Sequence, residues 1–172
     1  MADPSRQSMT RPPEGMVLRV LRSWWAPRRV VRGLSDMPDR VMLAVLMLAM
    51  LINLIAQAPM NARLAQIDPS VPFEARMGGA LMAVMFMMPL LAYLFATVVA
   101  WLSRLTPWRL TDAHSRLALF WALLAVSPAM LLSGLVAGLI GPGPALTLTR
   151  AIAGVGFLFI WGAGLSVLAK RT

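Results

Sequence analysis

The sequence predicts an all-α polytopic membrane protein, a helical bundle of four transmembrane helices preceded by amphipathic interfacial helices. Of its 172 residues, 59% are hydrophobic and 13% are charged, which leaves too little polar surface to enclose the apolar residues in water. Four apolar stretches are long enough to cross a bilayer, and charged or Pro- and Gly-rich segments separate them. Basic residues are concentrated at one end of these stretches, as expected for a membrane protein.

The composition also excludes several kinds of site. The chain has no cysteine and one histidine, His114, which excludes a thiolate metal site, a disulfide framework and bis-histidine haem ligation. We therefore expect no cofactor and no metal. The formal net charge of +9 suits a bilayer with anionic headgroups better than nucleic acid, because uncharged apolar tracts make up most of the chain.

The amino-terminal part divides into a tail and an amphipathic segment. Residues 1–15 mix proline, charge and small polar residues without apolar periodicity, which predicts a disordered cytoplasmic tail. In residues 16–35, apolar and basic residues fall on opposite helical faces, and Pro27 is expected to end the first of two short helices. The residues expected to contact lipid headgroups are Arg19, Arg22, Trp24, Trp25, Arg28, Arg29 and Arg32. The alternative is a helix pair packed on the loops of the bundle, with its arginines in solvent.

The transmembrane four-helix domain is expected to cover residues 36–172. At about 1.5 Å per residue, even the shortest of its apolar stretches just reaches across a hydrocarbon core of roughly 30 Å. We expect the first span to stop at Pro59, a polar loop to cover residues 61–77, and Pro89 to kink the second span. The spans are expected at about residues 41–58, 78–102, 117–140 and 145–169.

Prolines and glycines interrupt the third span and the turn that follows it. Cutting this span at Pro128 would leave halves too short to cross a bilayer, so one kinked helix is expected. "GPGP" at residues 141–144 predicts a tight turn between antiparallel spans. Gly134 and Gly138 form a G-x-x-x-G strip that permits close helix packing, which we expect to seat the fourth span. The alternative is that this strip forms a dimer interface.

Few polar side chains lie within the spans. Asn53 and Gln57 are four residues apart and share a helix face, so we expect them to form interhelical hydrogen bonds of roughly 1 kcal/mol each. The alternative is a polar lining for a small substrate. The spans contain no Asp, Glu, Lys or His, and Arg150 is their one charged residue. Because no Asp, Glu, Lys or His is available there to act as a general base or metal ligand, we do not expect an enzyme.

The basic residues predict the orientation. Thirteen of the 16 lie before the first span, between the second and third, or after the fourth, whereas Arg63, Arg76 and Arg150 lie on the other side. The positive-inside rule then places both termini in the cytoplasm of a multi-pass protein.

Three segments resemble the bacterial branch of the Yip1 domain family. They are "WWAPRRVVRGL", "DPSVPFEARMGGALM" and "LALFWALLAVSPAMLLSGLVAGLIGPGPALTL", and the resemblance covers roughly Trp24 to the end. It implies a small polytopic membrane protein with a cytoplasmic amino-terminal segment. Eukaryotic relatives act in membrane trafficking with small GTPases and with one another. The chain departs from that family in having four rather than five spans and no Asp-Leu-Tyr-Gly-Pro signature, so the resemblance does not carry GTPase binding.

The residues and the resemblance together predict a non-enzymatic integral protein of the bacterial inner membrane. We expect it to act as an accessory, scaffolding or membrane-organising partner of other membrane proteins or of itself. One alternative is a carrier or channel for a small uncharged solute, favoured by the kinked spans and the Asn53 and Gln57 face. Another is a lipid-sensing or membrane-shaping protein that acts through the amphipathic segment.

Overall fold

A computed structural model describes residues 15–171, and nearly all regular structure in that range is helical. The tail expected at residues 1–15 lies outside the described residues except for Gly15, which precedes the first helix. The helices are α1 (Met16–Arg22), α2 (Pro27–Arg32), α3 (Asp39–Ile67), α4 (Phe73–Met82), a π-helical turn (Ala83–Met87), α5 (Met88–Ser103), α6 (Asp112–Ala125), α7 (Ser127–Leu139) and α8 (Pro144–Leu168). Two short strands, β1 (Trp108–Arg109) and β2 (Lys170–Arg171), pair antiparallel.

Three helices are long and apolar enough to cross a membrane. They are α3, α8 and the helix Phe73–Ser103, which α4, the π-helical turn and α5 form together. Helices α6 and α7 meet the same criterion as a pair, with a bend of 42° between them. The protein thus has three or four apolar helices that could span a membrane, which is consistent with a multi-pass membrane protein.

Helix α3 is longer than expected. It continues through Pro59 to Ile67, so the expected stop at Pro59 is wrong. Proline removes one backbone donor, and the ring of Pro59 packs directly on Gly138 of α7, where no side chain competes for the space. The loop expected at residues 61–77 is also wrong, since only residues 68–72 separate α3 from α4.

The helix Phe73–Ser103 accommodates Pro89 through a change in helical pitch. A π-helical turn at Ala83–Met87 comes directly before α5, and Pro89 lies in the first turn of that helix. Each π-type hydrogen bond spans one more residue than an α-type bond, so the helix is locally wider there. The proline expected to kink this span thus follows a local change of helix type.

The break in the third apolar segment is confirmed. Helix α6 ends at Ala125, and α7 begins with Ser127 and Pro128, so the 42° bend falls at Val126. The turn expected at "GPGP" is confirmed too, since α7 ends at Leu139 and α8 begins at Pro144. Gly141 has a φ of +94°, a conformation that a residue with a side chain rarely adopts.

Contacts at the helix ends define the helix directions. Arg116 near the start of α6 pairs with Asp39 at the start of α3 at 3.4 Å. Near the other end, a guanidinium N–H of Arg63 donates to the carbonyl oxygen of Gly138 at 3.3 Å. The bent pair α6–α7 therefore runs parallel to α3 along most of its length. The pairing of β1 with β2 brings the end of α8 back to the end of the bundle where α6 begins.

Helix α6 occupies the centre of the described structure. It packs against α3, α5 and α8, and nearly every side chain from Leu117 to Ala125 is buried. Phe120 and Trp121 are its largest fully buried side chains. Helix α1 touches α6, whereas α2 packs mainly along α8 and also touches α6.

Candidate functional site

The amino-terminal helices α1 and α2 carry five arginines, and we call this pair of helices the arginine platform. The side chains of Arg22, Arg28, Arg29 and Arg32 are exposed, and that of Arg19 is partly buried. Helix α2 packs along α8 and touches α6, with Val31 buried in that contact. The platform therefore packs on the helices α6 and α8 rather than on the loops of the bundle. Contact of its arginines with lipid headgroups stays a prediction.

Three side-chain hydrogen bonds hold the turn between α1 and α2 in place. The hydroxyl of Ser23 donates to the carbonyl oxygen of Arg19 at 2.8 Å and accepts the indole N–H of Trp121 at 2.9 Å. Both Ser23 and Trp121 are fully buried. The indole N–H of Trp24 donates to the carbonyl oxygen of Ala125 at 3.0 Å. The turn is thus bonded directly to α6.

Trp24 and Trp25 point in different directions. Trp24 faces inward and packs on Gly156, where an added Cβ would lie 2.6 Å from an atom of its ring. Its expected role in headgroup contact is therefore corrected to internal packing, since both its ring and its N–H are used inside the protein. Trp25 is 80% exposed, as a headgroup contact requires.

Two open grooves flank Trp25. One has a volume of about 560 Å³ and lies between α2 and α8, lined by Arg28, Arg29, Leu158 and Phe159 among others. The other has a volume of about 510 Å³ and is lined by Arg19, Arg22, Arg29 and the carboxyl end of α2. Guanidinium groups beside an exposed indole and apolar side chains form an amphipathic surface that suits a phosphate-bearing headgroup.

A polar cleft of about 270 Å³ lies between α3, α7 and α8 and shares no lining residue with the two grooves beside Trp25. The stripe of Asn53, Gln57 and Asn61 on α3 forms one wall, Ser133 of α7 the second and Arg150 of α8 the third. The residues predicted from the sequence, Asn53 and Gln57, do lie on one face. Two further polar residues line the same cleft, Asn61 of α3 and Arg150 of α8. The sequence alone did not group them with Asn53 and Gln57.

The interhelical hydrogen bonds expected from Asn53 and Gln57 are missing. Within residues 15–171, neither amide makes a hydrogen bond to another side chain or to the backbone of a neighbouring helix. Ser133 donates to the carbonyl oxygen of Ala129 in its own helix at 2.9 Å. The physical reason is distance, because an open cleft rather than a close helix contact separates the amides from α8.

The G-x-x-x-G strip packs inside the protein, against α3. A Cβ added at Gly134 would lie 2.7 Å from the carbonyl carbon of Ala56, and one added at Gly138 would lie 2.7 Å from the carbonyl carbon of Pro59. The expected internal contact is confirmed, but the expected partner, α8, is wrong. Since α3 runs parallel to α7 along its length, it offers the longer contact for a smooth strip.

Asp68 is the acidic group with a clearly perturbed environment. Hydrogen bonds from the hydroxyl and the backbone N–H of Ser70, together with the guanidinium of Arg76 at 3.2 Å, lower the pKa of Asp68 below its ordinary value of 3.8. These groups lie in and beside the exposed loop at residues 68–72. Across the described part of the chain, no group of three or more His, Cys, Asp or Glu side chains could hold a metal ion.

Comparison of the chain with protein-family models, with curated proteins and with solved structures gave no match.

Proposed function

We propose that this protein is a non-enzymatic, four-span protein of the bacterial inner membrane, of the Yip1 type, with both termini in the cytoplasm. In this proposal it works as an accessory or membrane-organising partner of other membrane proteins. Its arginine platform binds anionic lipid headgroups of the cytoplasmic leaflet and fixes the orientation of the bundle.

The helix directions support four spans. The bent pair α6–α7 begins beside Asp39 and ends beside Arg63, near the two ends of α3. A re-entrant segment would return to the end at which it started, whereas this pair ends where α3 ends. Together with α3, Phe73–Ser103 and α8, it makes an even number of crossings, as the distribution of basic residues requires.

The docked arginine platform is the observation that carries the proposal. Buried hydrogen bonds of Ser23 and Trp24 fix the turn between its helices against α6, while the arginines face outward. A fixed cluster of guanidinium groups loses less conformational entropy on binding headgroups than a flexible tail would. The platform and the α6 end at which Arg116 pairs with Asp39 both belong to the side predicted to be cytoplasmic.

The helix Phe73–Ser103 supports the accessory role. Of the residues in its most apolar stretch, 11% are buried within the protein, against 39% for α3. Its exposed side chains include Met82, Phe86, Met87, Leu90 and Leu94. Methionine-rich surfaces adapt to varied partners, so this face suits contact with lipid tails and with the helices of another membrane protein.

Two measurements on the full-length protein test the proposal. In the first, the protein carries a carboxyl-terminal tag at native abundance, is extracted in a lipid-preserving detergent, and is analysed for a membrane protein that co-purifies in fixed molar proportion. In the second, native mass spectrometry compares the phosphatidylglycerol and phosphatidylcholine retained. Replacement of all five platform arginines by Gln should remove the preference for phosphatidylglycerol; the five are Arg19, Arg22, Arg28, Arg29 and Arg32. Arg76→Gln, on the opposite side, should leave the preference unchanged. Recovery of the protein alone, with no lipid preference, would refute the proposal.

The polar cleft favours a second candidate, a carrier or channel. Flux of small solutes into liposomes that contain the protein, abolished by Asn53→Leu and Gln57→Leu, would support it over the accessory role. Gly162→Ala is the matched control, since an added Cβ at Gly162 meets no atom within 4 Å.

A further inference from the structure

The polar cleft combines a cation with amides and contains no acid. The residues lining it include Arg150, Asn53, Gln57 and Asn61, and none of them is Asp or Glu. Within residues 15–171, Arg150 makes no hydrogen bond and no ion pair. Its positive charge therefore has no protein partner in the described part of the chain.

The position of the cleft makes this arrangement unusual. Arg150 is exposed and lies six residues after the start of α8 at Pro144, and Asn53 is partly buried at the middle of α3. Both helices are apolar enough to cross a membrane. Hydrogen-bonding groups are costly to leave without a partner in such surroundings, and a charged group within a transmembrane segment commonly marks a binding site.

We propose that the polar cleft binds an oxyanion, a phosphate or a carboxylate. The guanidinium of Arg150 supplies the charge and paired N–H donors, and the side-chain amides of Asn53 and Gln57 supply further donors from the opposite wall. The amide N–H of Asn61 already donates to the sulfur of Met77 at 3.5 Å. At about 270 Å³ the cleft is small for a ligand site, so it suits a headgroup or a solute of a few heavy atoms. This inference is independent of the proposed accessory role and of the arginine platform.

The oxyanion has two possible sources with the same chemistry, a lipid headgroup and a free solute. A lipid would also place an acyl chain along a neighbouring apolar groove of about 500 Å³. Asn53 lines both this groove and the cleft, and Met88, Leu91, Phe95 and Phe157 are among the other residues of the groove. A free solute would bind without the groove. The two sources therefore differ in whether an apolar chain is required for binding.

The test uses the full-length protein in a neutral detergent, with Gln at Arg19, Arg22, Arg28, Arg29 and Arg32 so that the arginine platform does not contribute to binding. The four probes are phosphatidylglycerol, phosphatidylcholine, inorganic phosphate and acetate. Binding is measured by native mass spectrometry for the lipids and by the shift in melting temperature for the small ions. Arg150→Gln should weaken binding about tenfold or more, because it removes a charged hydrogen-bond donor. Arg104→Gln is the matched control, since Arg104 is exposed after α5 and does not line the cleft.

A second variant keeps the test decisive if Arg150→Gln fails to fold. Gln57→Glu places a carboxylate on the wall opposite Arg150, where it competes with an external oxyanion for the guanidinium. It should abolish binding while the protein elutes as a single species. Phosphatidylglycerol binding without phosphate or acetate binding would assign the site to a lipid, and binding of the small ions would assign it to a solute. In this platform-free background, equal binding with and without Arg150→Gln or Gln57→Glu, or binding of no probe at all, would overturn the proposal.

Discussion

The indole N–H of Trp24 donates to the carbonyl oxygen of Ala125 at 3.0 Å, across 101 positions of sequence. In a continuous helix, the N–H of Ala129 would occupy that oxygen, but at the bend it donates to Val126 instead. Pro128 has no N–H of its own to contribute. The amino-terminal segment therefore supplies the donor that the break between α6 and α7 removes. The carbonyl oxygen of Ala125 is thus not left without a partner inside an apolar bundle.

Trp24→Phe should destabilise the folded protein. Phenylalanine keeps an aromatic ring but removes the donor, so the carbonyl oxygen of Ala125 loses its partner in an apolar environment, at a cost of about 1–3 kcal/mol. Thermal unfolding in detergent measures the effect. Trp25→Phe is the matched control, because Trp25 is 80% exposed, and it should leave the melting temperature unchanged. Equal melting temperatures for the Trp24→Phe variant and the wild type would show that the bond contributes nothing.

Gly156→Ala should separate the arginine platform from α8. The added Cβ would lie 2.6 Å from the ring of Trp24, so the indole has to shift and its bond to Ala125 weakens. Overpacking of this kind costs about 1–3 kcal/mol. We expect faster hydrogen exchange in α1 and α2 as well as a lower melting temperature.

Two variants make the interpretation of Gly156→Ala specific. Gly154→Ala adds its Cβ in open space on the same helix, so its stability should stay within about 1 kcal/mol of wild type. Combining Gly156→Ala with Trp24→Ala removes the indole ring with which the added Cβ would clash. The double variant should therefore lose less stability than the two single variants lose in sum. Strict additivity would contradict the contact.

Gly134→Ala should weaken the packing of α7 on α3. Its Cβ would overlap the carbonyl group of Ala56, and a backbone group can move away only if the helices separate. We expect a loss of about 1–3 kcal/mol in thermal stability with no change in oligomeric state. Gly79→Ala, with open space around the added Cβ, is the control. Unchanged stability together with loss of self-association would instead favour the alternative of a dimer interface.

The sequence was sufficient where local chemistry decides the structure. Pro128 removes a backbone donor and Gly141 adopts a positive φ, so the bend and the turn follow from the residues that form them. The continuation of α3 through Pro59 could not be predicted in this way, because proline locally favours the end of a helix and the packing of Pro59 on Gly138 joins segments about 80 positions apart.

The candidate sites also depend on contacts between segments that are far apart in the sequence, which local patterns do not predict. The spacing of Asn53 and Gln57 predicts a shared face, but it cannot predict that Arg150 of another helix lies across a cleft from them. Asn61 continues the same four-residue spacing and was missed because it follows Pro59, where the helix was expected to end. The inward direction of Trp24 likewise depends on Ala125 and on the bend beside it.

Ser70→Ala should raise the pKa of Asp68 towards its ordinary value of 3.8. The side-chain hydrogen bond from Ser70 is the largest of the causes that lower this pKa, and it stabilises the carboxylate rather than the neutral acid. Since the pKa in the folded protein lies below the unfolded value, the stabilisation is present above the unfolded pKa and is lost as the pH falls through the folded one. Carboxyl chemical shifts of Asp68 followed by NMR between neutral and acidic pH measure the change. Ser70→Thr keeps the hydroxyl and should titrate like the wild type, whereas identical titration by the alanine variant would show that the hydroxyl has no effect on the carboxylate.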